Sequence, residues 1–454
     1  MAAVLTRTCS CVLVLVVLQG LSCATSSSEF LGRELFGTKT PYLWTRQDMD
    51  TSDLSSVQYK GQTCSAVYVD GIYRHGARYP SLKWIHRMDN LRTLLSTESG
   101  IDQFVVDWVN AFTADKETQL SALGKQEMVV LGERLGSRFQ TFLNSRTDMI
   151  KFFSSTKDRS KDSATYFQEG LGNKFGTNVS LPIALDNLML RFYDSCKLYE
   201  QLMDNDKTFE EYDKFLSGPE MTDAVSYVNR AVLNGHFNLS FDQVKIMQQI
   251  CAFELAFFNT SDWCRYFRLS ELDVMDYAED IEMNIEGGYR HKITAQMSCP
   301  LLKHVFQQMD KAARNKTDRP LASIRIGHVV SVSSVYAALG LFNGSHILLA
   351  TDYLANAGRP FRFSVVLPFS SNLVTIMYKC GSEYWVKMMV NGEEMTIPAC
   401  GDVMCPYTVF REHYKQFVNC DFDGICGNVI SGAVTKSASF ATACIGLLLV
   451  IIFK

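Results

Sequence analysis

Residues 73–80 read YRHGARYP and follow an apolar, strand-like run, AVYVDGI, at residues 66–72. A neutral imidazole is a nucleophile, and guanidinium groups offer forked donors that match phosphate oxygens. His75 stands between Arg74 and Arg78 at the end of the predicted strand. This spacing predicts transfer of a phosphoryl group to His75, with the two arginines holding the phosphoryl oxygens.

Two further strand-like runs end in residues of the same chemical type. MIKFF at 149–153 leads to Arg159, and ASIRI at 322–326 leads to His328. Active sites in open α/β sheets gather at the carboxyl ends of the strands. A parallel arrangement of the three strands is therefore expected to bring Arg159 and His328 to the same sheet edge as His75.

The chain as a whole predicts an α/β fold, with a mixed sheet flanked by helices and an inserted, mostly helical cap domain. Residues 30–164 and 313–426 are assigned to the α/β core, and residues 165–312 to the cap. Further strand-like runs lie at 363–367 and 374–378, and an Asn391-Gly392 turn predicts a hairpin.

Composition limits the class of protein. The 454 residues are 47% hydrophobic and 20% charged, which is typical of a folded globular protein. The net charge is −4, and the chain has no block of lysines and arginines, so nucleic acid is not an expected partner. An anionic ligand would have to meet a local basic pocket. No motif specifies an oligomeric state.

The two ends of the chain predict export and membrane attachment. Residues 1–24 have the pattern of a signal peptide, with Arg7 before an apolar run at 12–18 and small residues at 22–24. Residues 431–454 have small residues, a short polar spacer and an apolar tail, which favours a GPI-anchor signal over a single-pass membrane anchor. The expected location is the extracellular side of the cell membrane, and there is no KDEL-like ending for retention.

Cysteines and glycosylation sequons agree with an exported chain. Ten cysteines remain between the predicted signal and tail, an even number that predicts disulfides. Close spacing suggests Cys400–Cys405, Cys420–Cys426 and Cys251–Cys264, while Cys64 and Cys380 flank strand-like runs that they could tie together. No zinc-binding pattern is present, so no metal is expected. Five N-x-[ST] sequons predict glycosylation at Asn178, Asn238, Asn259, Asn315 and Asn343.

The run Arg74-His75-Gly76-x-Arg78-x-Pro80 resembles the signature of the histidine acid phosphatases, and the chain is more closely similar to the multiple inositol polyphosphate phosphatases. The similarity extends from about residue 34 to residue 420. Further stretches resemble that family in the same order along the chain: FGTKT at 36–40, STKDR at 155–159, LMLRF at 188–192, GPEM at 218–221 and SSNL at 370–373.

The resemblance implies roles for individual residues. His75 would attack phosphorus and become a phosphohistidine, and the phosphoryl oxygens would be held by Arg74, Arg78, Arg159 and His328. Water would then hydrolyse this intermediate. The implied substrates are inositol polyphosphates such as phytate and, in animal members, 2,3-bisphosphoglycerate. No metal or other cofactor is implied. Lys39 is a candidate contact for substrate phosphates, although a solvated lysine is an equal alternative.

One position departs from the family pattern. The second histidine is expected to be followed by alanine and then by a glutamate that protonates the leaving group, but residues 327–330 read GHVV, so Val330 occupies the donor position. General acid catalysis contributes 10²–10⁴-fold, or roughly 3–5 kcal/mol of barrier. Asp352 is only a distant candidate for this role, and no carboxylate follows in the next turn, residues 331–334. Turnover is therefore expected to be reduced or lost, and the alternative function is a pseudoenzyme that binds inositol polyphosphates at the cell surface.

Overall fold

The computed structural model of the protein describes residues 32–427, apart from residue 33 and the segments 47–49, 234–237 and 344–346. The predicted signal peptide and the predicted C-terminal anchor lie outside the described residues. Within the described part of the chain, no helix is both long and apolar enough to cross a membrane.

The strands form one mixed sheet. They are β1 (Ser56–Tyr59), β2 (Gln62–Arg74), β3 (Ile150–Ser154), β4 (Ile183–Leu185), β5 (Ala322–Gly327), β6 (Asn372–Cys380), β7 (Glu383–Val390), β8 (Glu393–Met395) and β9 (Met404–Pro406). The main path through the sheet runs β4-β3-β5-β2-β6-β7-β8, with β1 paired to β2 and β9 paired to β7.

The parallel part of the sheet sets up one functional edge. β2 and β3 both pair in parallel with β5, which lies between them, and β4 adds in parallel beyond β3. Arg74 lies opposite Gly327, and Ser154 lies opposite Ile326, so these three strands end at the same level. The predicted parallel arrangement is confirmed, and it brings the residues after β2, β3 and β5 to one edge.

Helices flank the sheet and fill the long connections. They are α1 (Tyr42–Thr45), α2 (Leu82–Leu95), α3 (Gln103–Asp107), α4 (Ala122–Arg138), α5 (Gln140–Leu143), α6 (Asp158–Phe175), α7 (Asn187–Leu190), α8 (Lys197–Met203), α9 (Glu210–Leu216), α10 (Pro219–Leu233), α11 (Phe241–Phe258), α12 (Leu269–Glu286), α13 (Lys292–Gln296), α14 (Cys299–Ala313), α15 (Val329–Leu339), α16 (Phe363–Val366), α17 (Tyr407–His413), α18 (Lys415–Val418) and α19 (Phe422–Ile425).

The sheet is buried on both faces, so every residue of β5 is buried, including Ser323 and Arg325. The buried charge of Arg325 is paired with Asp70 on β2. Alternate residues of β2 divide between the two cores: Tyr68 and Ile72 pack on one side, and Val69 and Tyr73 pack on the other. On the second side, α4 and α6 pack closely because both carry glycine at the crossing. A Cβ on Gly132 would lie 2.2 Å from the carbonyl oxygen of Phe167.

The structure confirms the predicted hairpin but not one of the predicted strands. The hairpin is confirmed, since β7 and β8 pair antiparallel around Asn391 and Gly392, which both have positive φ. The strand predicted at 363–367 is wrong, because residues 363–366 form α16. In that helix the amide of Phe363 donates to a carboxylate oxygen of Asp280 at 2.7 Å. This tertiary contact overrides the β-propensity of the two valines.

The segment after β4 is helical, with no strand among its described residues before β5. The boundary predicted at residue 164 falls inside α6, and β4, which was assigned to the cap, extends the core sheet. The helical segment therefore follows β4 in the structure. Its status as a separate cap domain remains a prediction.

Disulfides join all ten cysteines of the described chain. Three predicted pairs are confirmed: Cys64–Cys380, Cys251–Cys264 and Cys400–Cys405. The predicted pair Cys420–Cys426 is wrong. Cys426 bonds to Cys196 before α8, and Cys420 bonds to Cys299 at the start of α14. The end of the described chain packs against these two helices, and close spacing within a sequence carries no information about such a distant contact.

Removing the Cys64–Cys380 bond should destabilise the protein much more than removing the Cys400–Cys405 bond. The first bond closes a sequence separation of 316 residues and the second a separation of 5. Loop-closure entropy in the unfolded chain makes the longer crosslink worth roughly 3 kcal/mol more. We expect this difference in the free energy of unfolding between the double alanine variants in urea titrations. Equal losses would contradict the entropic explanation.

Candidate active site

The turn after β2 is held by hydrogen bonds to two neighbouring segments and by close contact with a third. The amide of Arg74 donates to the carbonyl of Ser371 at 2.8 Å, and the amide of His75 donates to the carbonyl of Gly327 at 3.0 Å. The turn also lies directly on the start of α4, where a Cβ on Gly76 would lie 2.4 Å from the carbonyl oxygen of Gly124. A side chain at position 76 would therefore displace the histidine.

Glu127 of α4 fixes the same turn from beneath. One carboxylate oxygen accepts from the amide of Tyr42 at 2.7 Å, and the other accepts from the amide of Ala77 and the hydroxyl of Ser370, both at 2.9 Å. Complete burial raises the pKa of this carboxyl group to about 7. Sequence analysis missed Glu127, since a lone glutamate in a helix carries no signal for such a position.

The contacts of His75 determine its tautomer. Arg159 Nε lies 3.0 Å from His75 Nε2, and a guanidinium N–H can only donate, so Nε2 carries a lone pair. Nδ1 carries the proton and donates to the carbonyl of Gly76 at 2.9 Å. The buried ring has a pKa well below 6.5, because burial and the charge of Arg159 disfavour protonation. His75 is therefore neutral, and its unprotonated Nε2 has the nucleophilic lone pair, which here accepts the hydrogen bond from Arg159.

Arg74 and Arg78 add positive charge beside this ring. Arg74 Nη1 donates to the carbonyls of Thr38 and Leu367, and its guanidinium lies 4.3 Å from the centre of the Phe369 ring. Burial, followed by mutual repulsion among the arginines, lowers the pKa of Arg74 to about 9 and that of Arg78 to about 10. In the described structure neither buried Nε has a hydrogen-bond partner. Both groups are suited to an anionic ligand.

Arg159 and His328 complete the cluster predicted from the sequence. Arg159 lies in the first turn of α6, and His328 is the N-cap residue of α15. Arg159 Nη2 lies 3.3 Å from His328 Nδ1, and a guanidinium group can only donate, so His328 Nδ1 accepts this hydrogen bond. The proton of His328 is therefore on Nε2, which donates to the hydroxyl of Ser155 at 2.9 Å. The rings of His75 and His328 are 5.4 Å apart. Burial and Arg159 also hold the pKa of His328 well below 6.5.

Arg191 is a further cation that the sequence analysis did not select. It precedes a short 3₁₀ helix at Phe192–Ser195 and forms an ion pair with Asp194 at 2.5 Å. Its charge helps to lower the pKa of both Arg159 and His328, which places it beside the cluster. The LMLRF stretch contained the only sequence signal for this residue, through its family resemblance.

Lys39 is ion-paired and partly exposed. Its Nζ lies 3.1 Å from a carboxylate oxygen of Glu279 and 2.8 Å from the hydroxyl of Thr38. Burial opposes ionisation of Glu279, but Lys39 and Thr38 outweigh it and lower its pKa to about 2. Contact between Lys39 and a substrate remains a prediction.

The half-buried Val330 lies in the first turn of α15, two residues after His328. Across the described ranges, no carboxylate forms a hydrogen bond with either His75 or His328. The cluster therefore offers a nucleophile and cations, but no acid in direct contact with the two histidines.

The other predicted features are also located. All five sequon asparagines are exposed, which leaves them sterically accessible. In the described part of the chain, no group of three or more histidine, cysteine, aspartate or glutamate side chains is arranged to hold a metal ion.

Comparison with known proteins gives consistent relatives. Residues 67–391 match the profile of the histidine phosphatase superfamily (branch 2). Multiple inositol polyphosphate phosphatase 1 of Gallus gallus is 28% identical over 86% of this chain and 92% of its own length. The protein of the same name from Homo sapiens is 26% identical over 84% of this chain and 86% of its own length.

Solved structures agree on the fold. The phytase from D. castellii superposes with a TM-score of 0.72 at 19% identity, covering 92% of both chains. The multiple inositol polyphosphate phosphatase of Bifidobacterium longum, in complex with inositol hexasulfate, gives 0.70 at 17% identity and covers 83% of this chain and 96% of its own. The predicted fold class, a mixed sheet flanked by helices, is confirmed.

The two histidines should make stability depend on pH in a defined direction. Their folded-state pKa values lie well below 6.5, the ordinary value that applies in the unfolded chain. As the pH falls, the histidines of the unfolded chain bind protons before those of the folded protein. The contribution of the two histidines to the free energy of unfolding is therefore fully present above pH 6.5 and is lost as the pH falls below it. The raised pKa of Glu127 has the opposite effect, since it stabilises the folded protein as the pH falls. The effect of the histidines must therefore be measured as a difference in stability between the unmodified protein and a variant without them.

We therefore expect the stability difference between the unmodified protein and a His75→Asn, His328→Asn double variant to shift against the unmodified protein as pH falls from 7.5 to 5.5. Urea titrations at each pH measure it. A difference that is constant with pH would show that the folded histidines titrate normally.

Proposed function

The chain belongs to branch 2 of the histidine phosphatase superfamily, and from this membership we propose that it is a phosphomonoesterase that removes phosphate from inositol polyphosphates. One observation carries the proposal: the Nε2 lone pair of a neutral His75 lies among the guanidinium groups of Arg74, Arg78 and Arg159. A nucleophile would otherwise be repelled by the charge on a phosphate ester, and the cations neutralise that charge.

The proposed reaction has two steps. His75 Nε2 attacks phosphorus, the P–N bond forms, and the P–O ester bond breaks with its electron pair on the leaving oxygen. Arg74, Arg78 and Arg159 donate to the three phosphoryl oxygens as charge redistributes. His328 joins them as a donor when the charge of the bound anion favours protonation of its Nδ1. Water then attacks phosphorus, the P–N bond breaks, and the electron pair returns to Nε2. The Nδ1–H bond to Gly76 keeps the ring in the reactive tautomer throughout.

The substrate class rests on the relatives and on the surrounding charge. The relatives from chicken and human are named for inositol polyphosphates. Lys39 and Arg191 flank the central cluster and are partly exposed, so they are placed to meet further phosphates of a polyanion. A substrate with several phosphates therefore fits better than a simple monoester. 2,3-Bisphosphoglycerate, which has two phosphates, is a further candidate substrate.

A second function is favoured by Val330. Without a carboxyl group at that position, the cluster would still hold polyphosphates but would release an alkoxide slowly. On this alternative the protein is an inositol-polyphosphate-binding pseudoenzyme at the cell surface. The two functions differ only in turnover, so a single assay separates them.

The unmodified protein should release inorganic phosphate from phytate, and His75→Ala should reduce the release to background because it removes the nucleophile. His413→Ala is the matched control, since His413 is exposed and distant in sequence from the site, and it should behave as the unmodified protein. Labelled ester should also leave an acid-labile phosphoryl group on His75 in the unmodified protein.

Binding of phytate without any release between acid and neutral pH would select the pseudoenzyme instead. The absence of both binding and release by a folded sample would contradict both functions.

We also propose that the protein is exported, glycosylated and attached to the outer face of the cell membrane by its C-terminal segment. Five disulfides and five exposed sequon asparagines support passage through an oxidising compartment. The anchor itself rests on the sequence of residues 431–454, where the short apolar tail favours GPI.

A phospholipase that cleaves GPI should release the protein from intact cells, and enzymatic removal of N-linked glycans should lower its apparent mass. Retention on the membrane after phospholipase treatment would favour a single membrane-spanning segment. Protein found only in the medium would contradict both kinds of anchor.

A further inference from the structure

The residues that lie beside Val330 include the C-terminal end of α12. The C-terminal end of α12 packs directly on the first turn of α15. A Cβ added to Gly287 would lie 2.1 Å from the hydroxyl of Ser333 and 3.8 Å from Val330 Cα. Gly287 caps α12, and the last residue of that helix is Glu286. A glutamate therefore stands one residue from the backbone contact with Val330.

Glu286 is held between charged groups from several elements. Its carbonyl accepts from the hydroxyl of Tyr199 on α8 at 3.0 Å, which fixes the end of the helix. Its half-buried side chain interacts electrostatically with the charged groups Glu279 and Glu282 on its own helix, Lys39 before α1, and Lys245 on α11. Lys39 and Glu279 border the arginine cluster, and the charge of Glu279 acts on Arg74.

We propose that Glu286 donates the proton that Val330 cannot, so that the acid of this enzyme comes from α12 instead of α15. This inference rests on the proposed phosphomonoesterase function. It assigns a catalytic residue that contacts the leaving oxygen of the bound ester.

The state of the carboxyl group agrees with this role. Burial and the negative charge of Glu282 outweigh Lys39 and raise the pKa of Glu286 to about 7. A substantial fraction of Glu286 is then protonated at neutral pH, and more below it. Bringing a polyanion alongside would favour the protonated form further.

The proton balance closes over one cycle. When the P–O bond breaks, the carboxyl group of Glu286 gives its proton to the leaving alkoxide, which departs as an alcohol. The resulting carboxylate takes a proton from the water that attacks the phosphohistidine, and phosphate leaves as the P–N bond breaks. Glu286 is protonated again, and His75 is neutral with a free Nε2.

Other carboxyl groups fit the role less well. Glu279 is ionised and bound to Lys39 and Thr38. Both oxygens of Glu127 are occupied by the turn that carries His75. Asp352 accepts from the hydroxyl of Thr351, and its charge acts on Tyr277.

The test separates proton donation from other roles by varying the leaving group. An inositol alkoxide needs a proton to depart, whereas p-nitrophenolate is stable without one. Glu286→Gln should lower the single-turnover rate of His75 phosphorylation by phytate about 100-fold or more, and should change the rate with p-nitrophenyl phosphate less than about 3-fold. Asp352→Asn is the matched control and should change neither rate.

Two further readouts address a merely structural role. The rate with phytate should fall above about pH 7 in the unmodified protein, as Glu286 loses its proton, and this fall should be absent in Glu286→Gln. Adding Val330→Glu to Glu286→Gln should restore the phytate rate, because a carboxyl group then projects from the α15 position.

The possible outcomes are distinguishable. Equal losses with both esters, or an unchanged phytate rate in Glu286→Gln, would overturn the assignment of Glu286 and leave the proposed function intact. Failure of the unmodified, folded protein to form phosphohistidine with either ester would overturn the proposed function, and with it this inference. The burst of p-nitrophenolate from Glu286→Gln also verifies that the variant is folded.

Discussion

The concentration of positive charge around one neutral imidazole is the constraint on which the rest of the site depends. Arg74, Arg78 and Arg159 approach His75, and burial together with their charges keeps its ring unprotonated. Holding guanidinium groups together out of water is unfavourable unless other groups satisfy them. Backbone carbonyls satisfy part of Arg74, while the buried Nε groups of Arg74 and Arg78 have no partner in the described structure. An anion bound there would offset this cost.

The fold maintains this arrangement because it holds the backbone of the turn in place, and the backbone then determines where the side chains lie. Three parallel strands end at one level, and the turn after β2 is tied to the strands and loops on both sides of it. Glycines at 76 and 124 allow α4 to contact the turn, and Glu127 joins α4 to both Ala77 and Ser370. His75 is therefore positioned both by its own hydrogen bonds and by the contacts of its neighbours in the turn, which is how a rigid scaffold achieves precise placement.

The helical segment contributes more than cover for the sheet. α12 carries Glu279, which pairs with Lys39, and ends at Glu286 against the first turn of α15. A change at position 330 therefore takes place in a site that already has carboxyl groups from a second element. The acid function of a site of this kind can move between elements because proton transfer requires proximity and a suitable pKa, and does not require a particular backbone position.

The sequence by itself determined the fold class and predicted His75 and the cations at the ends of three strands, because each of these depends on local patterns. Spacing and flanking strands also predicted three of the five disulfides of the described chain, while close spacing wrongly paired Cys420 with Cys426. Only the tertiary structure decided the partners of Cys420 and Cys426, the helix at 363–366, and the places of Arg191, Glu127 and Glu286. These depend on contacts between residues far apart in the chain, and a lone charged residue or cysteine looks the same in sequence whether it faces solvent or a reacting atom.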